Sequence, residues 1–253
     1  MSKILLYAAG RTPVLRYACR TLAANGITVT DVAGPEVTHL LLPVPSFEKD
    51  GRIRGGGMLE HILADLPEGI TVIGGKLDHP MLAGYKKADL LQDGQYQARN
   101  GAITADGAVR IAAQYLDTTF AGCPMLIIGW GRIGKCLARL LKSMGAQVTV
   151  AARKASDRDM LRALDYGAED PAAMRHSLAG YQVIFNTAPE MVLDEQRLKY
   201  CRKDCIMIEL ASVPGIAGDN VIDGRGLPGR LTPAASGQLI ARTLIRFIAE
   251  RRI

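Results

Sequence analysis

Six consecutive residues, Gly129-Trp130-Gly131-Arg132-Ile133-Gly134, carry the clearest chemistry in this chain. They follow a short apolar run, Met125–Ile128, and open a stretch with helical spacing of its apolar residues. At a strand-to-helix junction the first glycine of a G-x-G-x-x-G run makes the tight turn. The second lets the backbone approach a pyrophosphate, and the third lets helix and strand pack closely. Backbone amides at the helix start, aided by the helix dipole, then face the phosphates, with Trp130, Arg132 and Ile133 read as part of the same loop. A domain of this kind that takes NAD usually ends its second strand in Asp or Glu, for the ribose hydroxyls. Here that place reads Ala151-Ala152-Arg153-Lys154, followed by Ser156. No carboxylate stands there to repel a 2′-phosphate and two cations stand ready to bind one. The sequence therefore predicts NADP, held through Arg153, Lys154 and Ser156, against the simpler reading of a solvated turn.

The elements that position these residues occur twice. Residues 124–152 give strand Met125–Ile128, helix Arg132–Met144 and strand Gln147–Ala151, with Ile133, Cys136, Leu137, Leu140, Leu141 and Met144 expected on the core stripe. Residues 3–31 overlay them without a gap: strand 3–8, a helix to about Ala24 with Val14, Leu15, Ala18 and Leu22 on one side, and strand 27–31. Gly10 falls on Gly131, Arg11 on Arg132, Ile27 on Val148 and Val29 on Val150. At the three glycine positions the first copy has Ala8, Gly10 and Pro13. Pro13 supplies no amide and its ring blocks close packing, so this copy is not expected to hold a dinucleotide.

The remaining pattern gives a strand at 38–43, a helix near 58–65 and a strand at 70–74. Asn100-Gly-Ala-Ile-Thr104 reads as a break, with Thr104 capping a helix that runs to about Thr118. Strands follow at 182–186 and 205–210, then a last helix at about 234–251, with Leu239, Ile240, Thr243, Leu244, Phe247 and Ile248 on its apolar stripe. The expected fold is α/β: two Rossmann-like domains with parallel sheets, joined by a bridging helix and a returning C-terminal helix. The expected division is a substrate domain at 1–100, a linker helix at 101–121, an NADP-binding domain at 122–233, and a helix at 234–253 across the junction. Substrate would sit at the carboxyl ends of the strands. Loops there include Asn186-Thr187-Ala188-Pro189, read with Ala211 as cofactor contacts, Ala211-Ser212-Val-Pro-Gly215, and Leu227-Pro228-Gly229.

Composition narrows the partners. The 253 residues are 48% hydrophobic and 22% charged, which is ordinary for a globular chain and excludes a disordered one. Thirty-one Lys and Arg against 25 Asp and Glu leave a net charge of +6, suited to an anionic small molecule. Aromatics at 5% are thin for nucleic-acid stacking, and nucleic acid is not expected as a partner. No apolar stretch reaches the length of a membrane span and no signal peptide is apparent, so a cytoplasmic location is expected. Five scattered cysteines without C-x-x-C or a nearby His read as reduced thiols, and no metal site is expected.

The fingerprint and domain order resemble the D-2-hydroxyacid dehydrogenases. That family uses an Arg, a Glu and a His in a segment like Leu-Thr-Pro-His, where this chain has Leu231-Thr-Pro-Ala234. Without an imidazole the usual proton acceptor for alcohol oxidation is missing, and that reading is set aside. A resemblance along nearly the whole chain is to the dipicolinate synthase A-subunit family of endospore formers. It rests on Asn100-Gly-Ala-Ile-Thr-Ala-Asp-Gly107, Gly129-x-Gly-Arg-x-Gly134, Ala152-Arg153, Asn186-Thr-Ala-Pro189, Glu209-Leu-Ala-Ser-x-Pro-Gly215 and Leu227-Pro-Gly-Arg-Leu-Thr-Pro-Ala-Ala-Ser-Gly-Gln238. Val213 and Ile216 depart from it, standing where a basic residue and a glycine are usual.

The resemblance implies oxidation of a cyclic dihydro- or hydroxytetrahydro-dipicolinate with NADP, beside a flavoprotein B subunit, with homo-oligomers left open. Asn100, Thr104, Ser212, Leu227, Pro228 and Gly229 are the implied substrate contacts, and no catalytic residue is assigned. Arg11, Arg99 and Arg230 are cleft cations suited to a dianionic substrate, and each serves equally as a surface charge; Thr104 serves equally as a helix cap and Asn186 as a turn residue. Two alternatives stay open: a non-catalytic NADP-binding scaffold or regulatory component, and an NADP oxidoreductase for another cyclic anionic metabolite.

Overall fold

The computed structural model describes residues 4–253, and Lys3 of the expected first strand lies outside them. The chain packs as two compact units. One holds the residues up to Asn100 together with Pro228–Ile253, and the other holds Gly101–Leu227.

In the first unit β1 (Leu5–Ala8), α1 (Pro13–Ala24), β2 (Thr28–Thr30), β3 (His39–Leu41), α2 (Leu59–Ala64), β4 (Thr71–Gly74) and β5 (Lys86–Asp89) follow in order, and α3 (Gly94–Tyr115) begins. The sheet order is β2-β1-β3-β4-β5, every pair parallel. Leu40, Leu42, Val72 and Leu82 fill its core with almost no exposure.

The second unit contains β6 (Pro124–Ile128), α4 (Arg132–Ser143), β7 (Gln147–Ala151), α5 (Ala155–Ala163), β8 (Gly167–Glu169), β9 (Val183–Asn186), α6 (Glu195–Leu198), β10 (Ile206–Glu209) and β11 (Val221–Asp223). Its order is β11-β10-β9-β6-β7-β8, again wholly parallel. This is the doubly wound Rossmann arrangement, whose strand order reverses between β6 and β9. The expected α/β class with two parallel Rossmann-like sheets is what the chain adopts. The register sets Ile128 beside Ala151 and Asn186, so β6, β7 and β9 end level and their following loops converge.

Two short-range expectations give way to tertiary packing. The break expected at Asn100–Thr104 does not occur: α3 is continuous from Gly94, and Thr104 is a buried residue inside it rather than an N-cap. The helix starts instead at Asp93, whose carboxylate accepts from the Tyr96 amide at 2.8 Å. Gly101, which reads as a turn signal, provides close approach, since a Cβ there would lie 3.3 Å from the Arg132 Cβ. The core stripe of α4 is also rotated from the expected one. Gly134, Leu137, Ala138 and Leu141 are its buried residues, while Met144 is exposed.

After α7 (Leu227–Leu231), α8 (Pro233–Ala249) packs on α1 within the first unit. Gly237 makes that crossing feasible: a Cβ would come within 2.5 Å of the Val14 carbonyl oxygen and of the Tyr17 Cβ. The Ser236 hydroxyl donates to the Pro228 carbonyl at 2.8 Å. The Ala-Ala-Ser-Gly run is thus a helix-packing surface.

Candidate functional site

The loops after β6, β7 and β9 enclose a pocket of about 290 Å³. From the expected cofactor contacts it brings together Gly129, Trp130, Gly131, Arg153, Lys154, Thr187, Ala188 and Pro189. Arg132, Ile133, Gly134, Ser156, Asn186 and Ala211 are not part of its wall.

Each glycine of the fingerprint has a separate physical reason. Gly129 adopts φ +105°, in the left-handed region, and donates its amide to the Ala151 carbonyl at 2.9 Å. Gly134 is buried in α4, and a Cβ there would meet the Gly129 carbonyl oxygen at 2.2 Å. Gly131 differs, because a Cβ added to it would find no described atom within 4 Å and would project into open space. It stands at the N-cap of α4, and among the described residues no side chain caps that helix. A 12-residue helix therefore presents free first-turn amides beside the pocket, which is the polarity an anionic phosphate group requires.

The second wall is the turn from β7 into α5. Lys154 is the N-cap of α5 and also lacks a side-chain cap bond. Arg158 braces this turn from inside the helix, donating to the carbonyls of Ala152 and Arg153, both at 2.7 Å, and pairing with Asp170 at 3.1 Å. Two carboxylates also line the pocket, Asp157 and Glu190, and Glu190 pairs with Arg153 at 3.2 Å. The expectation that no carboxylate is available near the ribose position holds for the β7 strand end alone; folding brings two from α5 and the β9 loop.

The third wall is fixed from below by Glu209 at the end of β10. Its buried carboxylate accepts from the Asn186 side-chain amide at 2.9 and 3.1 Å, and from the amides of Ala211, Gly215 and Ile216 at 2.9, 2.7 and 3.2 Å. Asn186 also donates to the Ala188 carbonyl and accepts from the Ala188 amide, each at 3.0 Å. All of its polar capacity is thus turned inward, and it shapes the loop instead of lining the pocket. Thr187 ties the same loop to β6, its hydroxyl donating to the Ile128 carbonyl at 2.9 Å. Gly215 is required beneath it, since a Cβ would meet the Glu190 carbonyl oxygen at 2.2 Å.

Sequence reasoning missed Arg158, Glu190 and the anchoring role of Glu209. A signal for Glu209 was present: a lone carboxylate closing an otherwise apolar strand needs internal donors. The implied substrate contacts are dispersed. Ser212 is exposed on the turn that Glu209 anchors, whereas Leu227 is fully buried, with its Cβ 3.0 Å from where a Gly107 Cβ would be. Thr104 is buried in α3, and Asn100, Pro228 and Gly229 belong to the first unit. Ala234 lies in the first turn of α8.

The corresponding turn of the first unit is filled by its own chain. The Arg11 amide donates to the Gly55 carbonyl at 2.8 Å, and a Cβ on Gly10 would meet the Arg54 carbonyl oxygen at 2.8 Å. The Thr12 hydroxyl caps α1 by accepting from the Leu15 amide at 3.2 Å. Among the described residues, no group of three or more His, Cys, Asp or Glu is placed to hold a metal, and no helix is long and apolar enough to cross a membrane.

Comparison with known proteins returns relatives of the same architecture. The dipicolinate synthase A subunit of Bacillus subtilis is 27% identical over 159 residues, covering 60% of this chain and 54% of that protein. The matched stretch thus spans about half the length of this curated relative. The crystal structure of the dipicolinate synthase A subunit from Bacillus halodurans superposes with a TM-score of 0.83 at 21% identity, covering 98% of this chain and 99% of that one. The crystal structure of its Bacillus subtilis counterpart gives the same TM-score at 20% identity, covering 100% of this chain and 98% of that one. The resemblance drawn from the motifs is therefore among those these comparisons return.

Residues 85–223 match the family described as D-isomer specific 2-hydroxyacid dehydrogenase, NAD binding domain. For the cofactor domain this agrees with the resemblance of the glycine fingerprint and the domain order to that family. With the glycine turn, the converging strand ends and the match spanning more than half the chain in agreement, the protein belongs to the D-isomer specific 2-hydroxyacid dehydrogenase NAD-binding-domain family, and its dehydrogenase-like role rests on a nicotinamide dinucleotide.

Proposed function

We propose that this chain is an NADP-dependent oxidoreductase of the dipicolinate synthase A type, acting on a cyclic dihydro- or hydroxytetrahydro-dipicolinate. The observation that carries the proposal is the pairing of an open, uncapped glycine turn with Arg153 and Lys154 at the start of α5, in one pocket. The residues fit the cofactor. Gly131 leaves room where a pyrophosphate would approach, and the two cations stand where the second strand ends, the place of the 2′-substituent in such domains. Bound NADP would supply a hydride acceptor.

The chain's own contribution is orientation. Glu209 and Asn186 hold the β9 loop rigidly against β6, so Thr187, Ala188 and Pro189 present a fixed wall. Ser212, exposed on the turn that Glu209 anchors, is the hydroxyl we assign to a substrate carboxylate. Asn100, Thr104, Leu227, Pro228 and Gly229 are assigned to substrate on the family resemblance alone, and of these Thr104 and Leu227 are buried. Ala234 offers no proton acceptor at the place of the hydroxyacid dehydrogenase histidine. The proposed dihydro ring would give up a hydride to the dinucleotide and a proton to solvent, after losing water where it enters in the hydroxytetrahydro form. It ends as an aromatic pyridine, so positioning, more than a base of matched pKa, is what the protein must supply.

The test is an absorbance assay for dipicolinate and reduced nicotinamide with the cyclic product of dihydrodipicolinate synthase chemistry, with and without a flavoprotein B subunit. Turnover of the cyclic substrate and none of lactate or glycerate is expected. Comparable turnover of an acyclic 2-hydroxy acid overturns the substrate assignment, and binding without turnover assigns a regulatory role instead. By calorimetry Arg153→Ala should weaken NADP by about 1.5–3 kcal/mol, the range for a hydrogen bond to a charged group, and leave NAD unchanged. A wild type that prefers NAD overturns the cofactor assignment.

A further inference from the structure

We propose that the first unit carries a small-oxyanion site of its own, built from Arg99 and Tyr96 of α3 and Arg242 and Arg246 of α8. These side chains, with Gln95, Leu239 and Thr243, line a cavity of about 180 Å³. All of them belong to the first unit, whereas the dinucleotide pocket is formed by the second. The volume suits one phosphate or carboxylate group and is too small for a dinucleotide.

The charges around it are out of balance. Arg246 is neutralised, with its guanidinium donating to Asp93 at 2.6 Å and to Glu250 at 3.3 Å. Arg252 uses the same two carboxylates, at 3.2 and 3.5 Å. Asp93 and Glu250 are thus committed to one arginine pair. Arg99 and Arg242 have no ion pair or hydrogen bond among the described residues, although both face a cavity they line together. Two unpartnered guanidiniums at one small concavity repel each other, and an oxyanion there would remove that repulsion and accept their directed donors.

Tyr96 points to the same ligand independently. It is 4% exposed, and its hydroxyl has no hydrogen-bond partner among the described residues. No side-chain polar atom there is both sealed from solvent and unpartnered, so the hydroxyl reaches solvent, and the cavity is the concavity that Tyr96 lines. Burial pushes its pKa up, which keeps it a neutral donor at any working pH. A hydroxyl that opens on the cavity from an otherwise buried tyrosine, beside two open guanidiniums, is the arrangement that a ligand with several acceptor oxygens would satisfy.

The test is calorimetric titration of the full chain with inorganic phosphate and, separately, with citrate, at an ionic strength matched by sodium chloride. One anion should bind per chain. Arg99→Gln and Arg242→Gln should each weaken it by about 10-fold or more, the lower end for a hydrogen bond to a charged group, and Tyr96→Phe by several-fold. Arg99 and Arg242 are exposed, so these variants should unfold thermally as the wild type does, and Arg153→Gln in the dinucleotide pocket should bind phosphate unchanged. Binding of phosphate alone assigns a phosphoryl ligand, binding of citrate alone a carboxylate, and binding of both the shared oxyanion chemistry. The proposal is overturned if neither anion binds beyond the sodium chloride control, if the Arg99–Arg242 double variant still binds, or if Arg153→Gln abolishes binding.

Discussion

The turn after β1 and the turn after β6 start from one pattern, a short apolar strand, a glycine followed by arginine, and an amphipathic helix. They reach opposite states. Gly131 opens onto a pocket, and α4 begins with no side-chain cap; a Cβ on Gly10 would meet the Arg54 carbonyl, the Arg11 amide is consumed by Gly55, and α1 is capped by Thr12. The lesson concerns what lies over the turn. A glycine in the middle of such a loop creates space, and the segment from Ser46 to Gly57 decides whether the space is kept. In the first unit that segment folds back through a bridge between Phe47 and Ile53 and fills it.

The largest expected effect comes from closing the open turn. Gly131→Val should abolish dinucleotide binding, a loss of at least about 100-fold, because its side chain would fill the space a pyrophosphate needs. Its thermal unfolding should stay near that of the wild type, because a Cβ at that position meets no described atom. Calorimetry on the wild type should return one dinucleotide per chain, and a stoichiometry of two would erase the distinction between the turns. A smaller effect is expected from disturbing the filled turn. Gly10→Ala combines a φ of +111° with a backbone contact of 2.8 Å and should cost about 1–3 kcal/mol in urea unfolding, with dinucleotide affinity unaltered. Lost binding in that variant would mean the first turn has a part in holding the cofactor.

The smallest effect tests the open pocket's charges. Glu190→Gln releases Arg153 from an ion pair between largely exposed side chains, worth about 0–1 kcal/mol. NADP should bind a few-fold more tightly and NAD should hardly change. An equal gain for both dinucleotides would show that Glu190 does not compete with a 2′-phosphate.

What was legible in the sequence follows from range. The β6–α4–β7 unit could be read because its strands are continuous apolar runs and its glycines have fixed duties, and Gln147–Ala151 matches the strand as it stands. Elements β5, β8 and β11 were missed; they are three or four residues long, partly polar and lie towards the sheet edges, so no run of side chains announces them. The start of α3 was missed because Asn100-Gly101 carries a turn signal that the approach to Arg132 overrides. At the site, the glycines and cations were readable as local pattern. Glu190 was not, because it meets Arg153 only when separate strand ends converge. Arg158 was not, because its bonds to the Ala152 and Arg153 carbonyls need the folded β7–α5 turn and its pair with Asp170 needs the end of β8.

The contact of α8 with α1 through Gly237 has a consequence for the order in which the molecule can be made. Their sequences are more than 200 residues apart, and the whole second unit lies between them. Every residue of the second unit has been synthesised before α8 exists, so the dinucleotide-binding half can complete its sheet during translation. The first unit cannot cover the α8-facing side of α1 until the ribosome has passed residue 249, and until then Val14, Tyr17 and Ala18 lack the helix that crosses them at Gly237. Closing that long loop is the late, high-contact-order event of folding, and the nascent first unit is the part of the protein that would engage a chaperone.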